Sequence, residues 1–80
     1  MKRAELKNIV AGVLEIDPTN LNSDTDLNTI DTFDSVSVLT LMISADEQAG
    51  IKISPADAKA LRYYRDIESL AVRQGIKFDD

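Results

Sequence analysis

The sequence predicts an all-α fold, a four-helix bundle with three main helices, one short helix and a long first loop. Three observations carry it. Apolar residues recur at three-four spacing in two long segments, no stretch alternates in the manner of a half-buried strand, and Pro, Gly and Ser stand where helices stop and start.

Residues about 2 to 16 read as a first amphipathic helix, with Leu6, Ile9, Val10, Val13 and Leu14 on one face. Gly12 costs it roughly 1 kcal/mol against Ala, which so strong a pattern absorbs. Asp17-Pro18 ends it, because the residue before a proline is pushed out of the helical region. A loop rich in Asn, Asp, Thr and Ser runs from Pro18 to about Phe33, and Leu21, Leu27, Ile30 and Phe33 are spaced along it as pins onto the core. Irregular loops of this length are uncommon in compact domains and are often functional.

The second helix runs from about Ser35 to Ala49 and stops at Gly50, whose missing Cβ suits a C-terminal stop. Val38, Leu41, Met42, Ala45 and Ala49 share one side, and Val36, Leu39 and Ile43 widen the apolar arc beyond what one packing face needs. Two readings account for the surplus. Either the helix is central and touches neighbours on several sides, or Val36 and Ile43, one above the other next to Glu47, form an exposed stripe at which partners dock. Periodicity does not separate them.

Ile51-Lys52-Ile53 reads as a very short extended link. Ser54-Pro55-Ala56-Asp57 is a helix start, with Ser54 as N-cap, Pro55 where its missing N–H costs nothing and Asp57 near the positive end of the dipole. This short helix ends near Leu61, and Arg62-Tyr63-Tyr64-Arg65 connects it to the last one. Asp66, as N-cap or first-turn acid, opens that last helix, whose inner face carries Ile67, Leu70 and Ala71. Gly75 closes it, and Phe78 folds back as a final contact.

At 80 residues and 44% apolar content the chain closes one compact core. A single domain over residues 1–80 is expected, burying about 60% of its unfolded surface. There is no Cys, hence no disulfide framework and no thiolate metal site, and no His, the usual general base near neutral pH. This composition argues against an enzyme in its own right. Met1-Lys2-Arg3 leads into mixed charge rather than an apolar run, so neither a secretory signal nor a membrane span is expected, and the cytoplasm is the expected compartment.

The net charge is −5, and between Lys7 and Lys52 there is no basic residue. That stretch carries eight acids: Glu15, Asp17, Asp24, Asp26, Asp31, Asp34, Asp46 and Glu47. Such a surface repels nucleic acid and steers basic protein partners toward it. A plain solubilising role is the alternative, but here the acids surround the one candidate site. Asp24, Asp26 and Asn28 match the first alternate ligands of an EF-hand loop. The central glycine of that loop is Thr29, however, and the closing glutamate falls on Ser35, so the match fails where the geometry is strictest.

The candidate site is Phe33-Asp34-Ser35-Val36, where the loop gives way to the second helix. An Asp-Ser pair ahead of a helix is weak evidence alone, since both residues are favoured N-caps. The combination is more specific: a leading helix, a long acidic loop, Asp34-Ser35 heading a central helix, Gly50 closing it and two shorter helices behind. That arrangement resembles the acyl carrier protein family, including peptidyl and D-alanyl carriers, over essentially the whole chain. The family motif is Asp-Ser-Leu, and its serine accepts 4′-phosphopantetheine from coenzyme A. The resemblance implies that Ser35 is the attachment point and Asp34 its motif neighbour, with Val36 standing in for the leucine. It also implies a stand-alone, monomeric carrier holding an acyl or aminoacyl thioester. A phosphopantetheinyl transferase and acyl-loading and acyl-transferring enzymes would be its partners, docking on Val36, Ile43, Asp46 and Glu47. Ser37 and Thr40 replace acids that fatty-acid carriers usually present there, and small Ala49 stands where an aromatic often precedes the closing glycine. These departures favour a dedicated pathway, polyketide, peptide, lipid or aminoacyl transfer, with fatty-acid synthesis left open. Leu41, Met42 and Ala45 either line a sheltering cavity or are ordinary core. The rival reading is an unmodified acidic helical adaptor for a basic partner, with Asp34 and Ser35 only a cap.

Overall fold

The computed structural model describes residues 1–80. It contains four α-helices and no strands: α1 (Arg3–Leu14), α2 (Ser35–Ala49), α3 (Pro55–Ala60) and α4 (Tyr64–Arg73). None is long and apolar enough to cross a membrane. The expected all-α bundle, with three main helices, a short one and a long first loop, is the observed one.

A single cluster of 15 buried residues draws on α1, the first loop, α2, the 51–53 link, Leu61 and α4, while α3 itself supplies none and Ile76 and Phe78 of the last segment are partly buried against it. α1 contributes Leu6, Val10, Ala11 and Leu14, and α4 contributes Tyr64, Ile67, Leu70 and Ala71. From α2 only Leu41 and Ala45 are fully buried among apolar residues. The helix packs chiefly on α1. The loop pins behave as expected, with Leu21 and Leu27 buried and Ile30 and Phe33 half-buried against the core.

Some boundaries depart from expectation. α1 stops at Leu14, before Asp17-Pro18, because Glu15 takes a left-handed conformation (φ 58°) and the Ile16 N–H donates back to the Ala11 carbonyl at 3.1 Å. That closure satisfies carbonyls otherwise left bare at the helix end. Asp17-Pro18 instead starts a 3-10 turn, Pro18–Asn20, in which the Asp17 carboxylate accepts from the Thr19 N–H at 2.9 Å. A second 3-10 turn, Leu27–Thr29, is capped likewise by Asp26. α4 begins at Tyr64 rather than Asp66. Asp66 is its first-turn acid, with one carboxylate oxygen accepting from the N–H groups of Tyr63 and Arg62 at 2.8 and 2.9 Å.

Two ties hold the irregular segments. The first loop hydrogen-bonds to the turn before α4, Leu27 N–H to the Arg62 carbonyl at 2.7 Å and Tyr64 N–H to the Thr25 carbonyl at 3.0 Å. The 51–53 link is extended, with Ile51 and Ile53 buried and Lys52 exposed. The Gln74 side chain acts as its strand partner, accepting from the Lys52 N–H at 2.7 Å and donating to the Lys52 carbonyl. Gly50 closes α2 at φ 67°, a conformation that side chains with a Cβ rarely adopt.

Candidate functional site

Three residues, Asp34, Ser35 and Ser37, divide the roles at the start of α2. Asp34 is the N-cap, its carboxylate accepting from the Ser37 N–H at 2.8 Å. Ser37 returns the bond, its hydroxyl accepting from the Asp34 N–H at 2.9 Å. This reciprocal box satisfies two otherwise orphaned donors. Ser35 therefore sits at the first helical position with its capping duties taken by its neighbours. It is exposed, and its hydroxyl enters no hydrogen bond within the chain. The N–H groups of Ser35 and Val36 are also left without chain partners, and they point along the positive end of the helix dipole. An approaching phosphodiester meets an available hydroxyl and two donors there.

The sequence reading treats Ser37 as a missing acid and overlooks its capping role. Burial explains what it does instead: it is the only buried polar residue, at 9% exposure, so a free carboxylate there would be desolvated. The signal was present as Asp34-x-x-Ser37, a capping-box pattern. The loop is drawn in at the same point, where the Thr32 hydroxyl donates to the Leu14 carbonyl at the end of α1 at 2.5 Å.

Along α2 the exposure removes one reading of the wide apolar arc, the one in which neighbours cover it on several sides. Val36, Leu39 and Ile43 are 71%, 58% and 51% exposed, so they are not shared among several neighbours. They form a stripe running away from Ser35, and Leu39 belongs to it although it was not among the expected docking residues. Leu41 and Ala45 are core, while half-buried Met42 faces an open recess between α2 and α3 of about 480 Å³. Ser35, Val38, Leu39, Ala58 and Lys59 line it with Met42.

The acids do not all gather round Ser35. Asp24 pairs with Arg65 at 2.7 Å and Asp26 with Arg62 at 3.6 Å, so both are drawn to the start of α4. Asp46 is engaged by Lys52 at 2.6 Å, whereas Glu47 is exposed with no cation within ion-pair distance. Asp17 is spent on its turn, where the backbone N–H and hydroxyl of Thr19 hold its carboxyl below the usual range. Near the site the remaining carboxylates are Glu15, Asp31 and Asp34, which line a second recess on the other side of α2. The EF-hand candidates Asp24 and Asp26 thus face arginines rather than one another.

The chain matches the family described as phosphopantetheine attachment site over residues 4–71. It belongs to this acyl carrier protein family, whose members carry 4′-phosphopantetheine covalently on a serine. Such domains work with transferases and biosynthetic enzymes. A search of the curated proteins gives no match.

Proposed function

We propose that the chain, as one carrier domain over residues 1–80, holds 4′-phosphopantetheine on Ser35 and presents an acyl or aminoacyl thioester to enzymes of fatty-acid, polyketide, lipid or peptide biosynthesis. The observation that supports this is the free, exposed Ser35 hydroxyl at a helix start whose cap is made by Asp34 and Ser37. Ser37, the neighbouring hydroxyl, is buried and committed. The domain acts as a monomeric carrier and not as a catalyst. It has no His to activate Ser35 as a nucleophile and no Cys to compete with the thiol of the arm. A phosphopantetheinyl transferase supplies the base, taking the Ser35 proton as the oxygen attacks the coenzyme A phosphorus and the adenosine bisphosphate leaves. Val36 and Ile43 give partners an apolar contact, with Asp46 and Glu47 as the charged end of the same face.

The test is intact mass. Incubation with a phosphopantetheinyl transferase and coenzyme A should add one phosphopantetheine, and Ser35→Ala should abolish the gain. An unchanged wild-type mass would leave the unmodified acidic adaptor as the better reading.

A further inference from the structure

Two recesses flank the first turns of α2, and their chemistry is opposite. One, of about 440 Å³, is lined by the carboxylates of Glu15, Asp31 and Asp34 with no basic residue. The other, of about 480 Å³ between α2 and α3, has Ser35 on its rim and an apolar surface from Val38, Leu39, Met42 and Ala58. Its single charged side chain is Lys59.

Lys59 is also the cation left available there. No basic residue occurs between Lys7 and Lys52, and Lys52 is held by Asp46 at 2.6 Å. Lys59 is exposed and takes part in none of the ion pairs. Asp57, on the same short helix, turns its carboxylate back to the Ser54 N–H at 3.1 Å.

We infer that Lys59 is a positioning residue for the prosthetic arm: it pairs with the arm's phosphodiester and directs the arm into the apolar recess between α2 and α3. The inference rests on Ser35 being the attachment serine. The phosphodiester is the first group beyond the serine oxygen, so attachment at the rim brings it to the side where Lys59 stands. The acidic recess repels the same charge. Next along the arm come the geminal methyls of the pantoyl unit, which match the surface offered by Leu39, Met42 and Ala58. An exposed ion pair is weak and screened by salt. Here the partner is tethered, so the pair forms without the entropy cost of bringing two molecules together. The arm is thereby biased toward α3, not locked there.

The experiment uses the full chain, labelled with carbon-13 and nitrogen-15 and loaded from unlabelled coenzyme A. Isotope-filtered NOE spectra should show cross-peaks from the pantoyl methyls to the side chains of Leu39, Met42 and Ala58. Lys59→Glu, loaded to the same intact mass, should lose those cross-peaks and move the phosphorus-31 resonance of the phosphodiester, while Lys59→Arg keeps both. Lys59→Gln gives the same comparison if charge reversal disturbs α3. A loaded wild type without the cross-peaks, or a Lys59→Glu or Lys59→Gln variant that retains them, overturns the role of Lys59 while leaving the attachment at Ser35 standing. Absence of any mass gain overturns both.

Discussion

Between residues 35 and 44 the chain places Ser35, Ser37 and Ser44 on one helix, and only burial and hydrogen bonding separate their roles. Ser35 is exposed and free, Ser37 is buried in the cap, and Ser44 is half-buried. Sequence singled out Ser35 through its neighbours in the motif, but a residue type alone did not reveal that Ser37 closes the box. Tyr64 was less legible still. Its place between Tyr63 and Arg65 read as connector, yet it opens α4 and is 1% exposed, with its hydroxyl buried and lacking a hydrogen-bond partner. Burial first, and then the Glu68 carboxylate, push the phenol well above its ordinary value. An unsatisfied buried hydroxyl costs about 1–3 kcal/mol, and replacing it by an apolar group of the same shape removes that cost. Tyr64→Phe should therefore stabilise the domain by about 1 kcal/mol, raising Tm by roughly 4–8 °C for a chain of this size. Because the folded phenol holds its proton more tightly than the unfolded one, this group's contribution is complete below the free tyrosine value of about pH 10 and is lost above it. The wild type should lose stability faster than Tyr64→Phe above that pH. A Tm that drops in Tyr64→Phe would mean the hydroxyl has a partner, such as a bound water.

At the scale of the element, α2 serves three directions at once. Leu41 and Ala45 hold it to the core, Val38 and Met42 face the recess toward α3 with exposed Leu39 on its edge, and Val36 and Ile43 stand in solvent. The three-four pattern located the helix and its buried side, because packing against one core leaves that periodicity. It did not separate an exposed apolar face from a second buried face, since both are apolar; accessibility does. The long loop shows the same limit. Leu21, Leu27, Ile30 and Phe33 were legible as pins, but its backbone bonds to the Arg62 and Tyr64 region were not, because backbone pairing in an irregular segment leaves no side-chain pattern. The exposed stripe carries its own test. Ile43 is 51% exposed, so Ile43→Asp should change stability by no more than about 0.5 kcal/mol, the usual range for surface changes. Loading by the transferase, or acyl transfer, should fall about tenfold, the equivalent of about 1.4 kcal/mol of lost apolar contact. Circular dichroism and a loading time course measure the two. Unfolding of the variant would place Ile43 in the core, and unimpaired loading and transfer would remove the stripe as a docking surface.

Across the whole molecule, charge opposes compactness in one respect and supports it in another. A net charge of −5 on 80 residues implies self-repulsion, which acidification relieves. Specific carboxylates act the other way. Asp66 is held below its ordinary value chiefly by the Tyr63 N–H, with help from the Arg62 N–H and the Arg65 charge. Asp57 is lowered by the Ser54 backbone and hydroxyl, and Asp17 by the backbone and hydroxyl of Thr19. Each ties down the start of a helix or turn: α4, α3 and the first loop. The start signals at Ser54-Pro55 and Asp66 were readable in sequence as caps, whereas their joint consequence for pH follows only from the bonds each carboxylate accepts. Since the folded forms bind protons less readily than the unfolded chain, their stabilisation is present above the unfolded carboxylate value of about 3.9 and is lost as pH falls through the lower folded values. Relief of repulsion is spread over many exposed acids and is screened by salt, while the caps are local, each carboxylate accepting backbone N–H groups at 2.8–3.1 Å. The caps should prevail. Thermal melts followed by circular dichroism should show Tm nearly level from pH 7 to about pH 5 and falling below about pH 4. Asp66→Asn, which keeps an acceptor but no titrating group, should flatten part of that acid limb. A Tm that climbs steadily as pH drops through 4 would show that repulsion, and not capping, governs this fold.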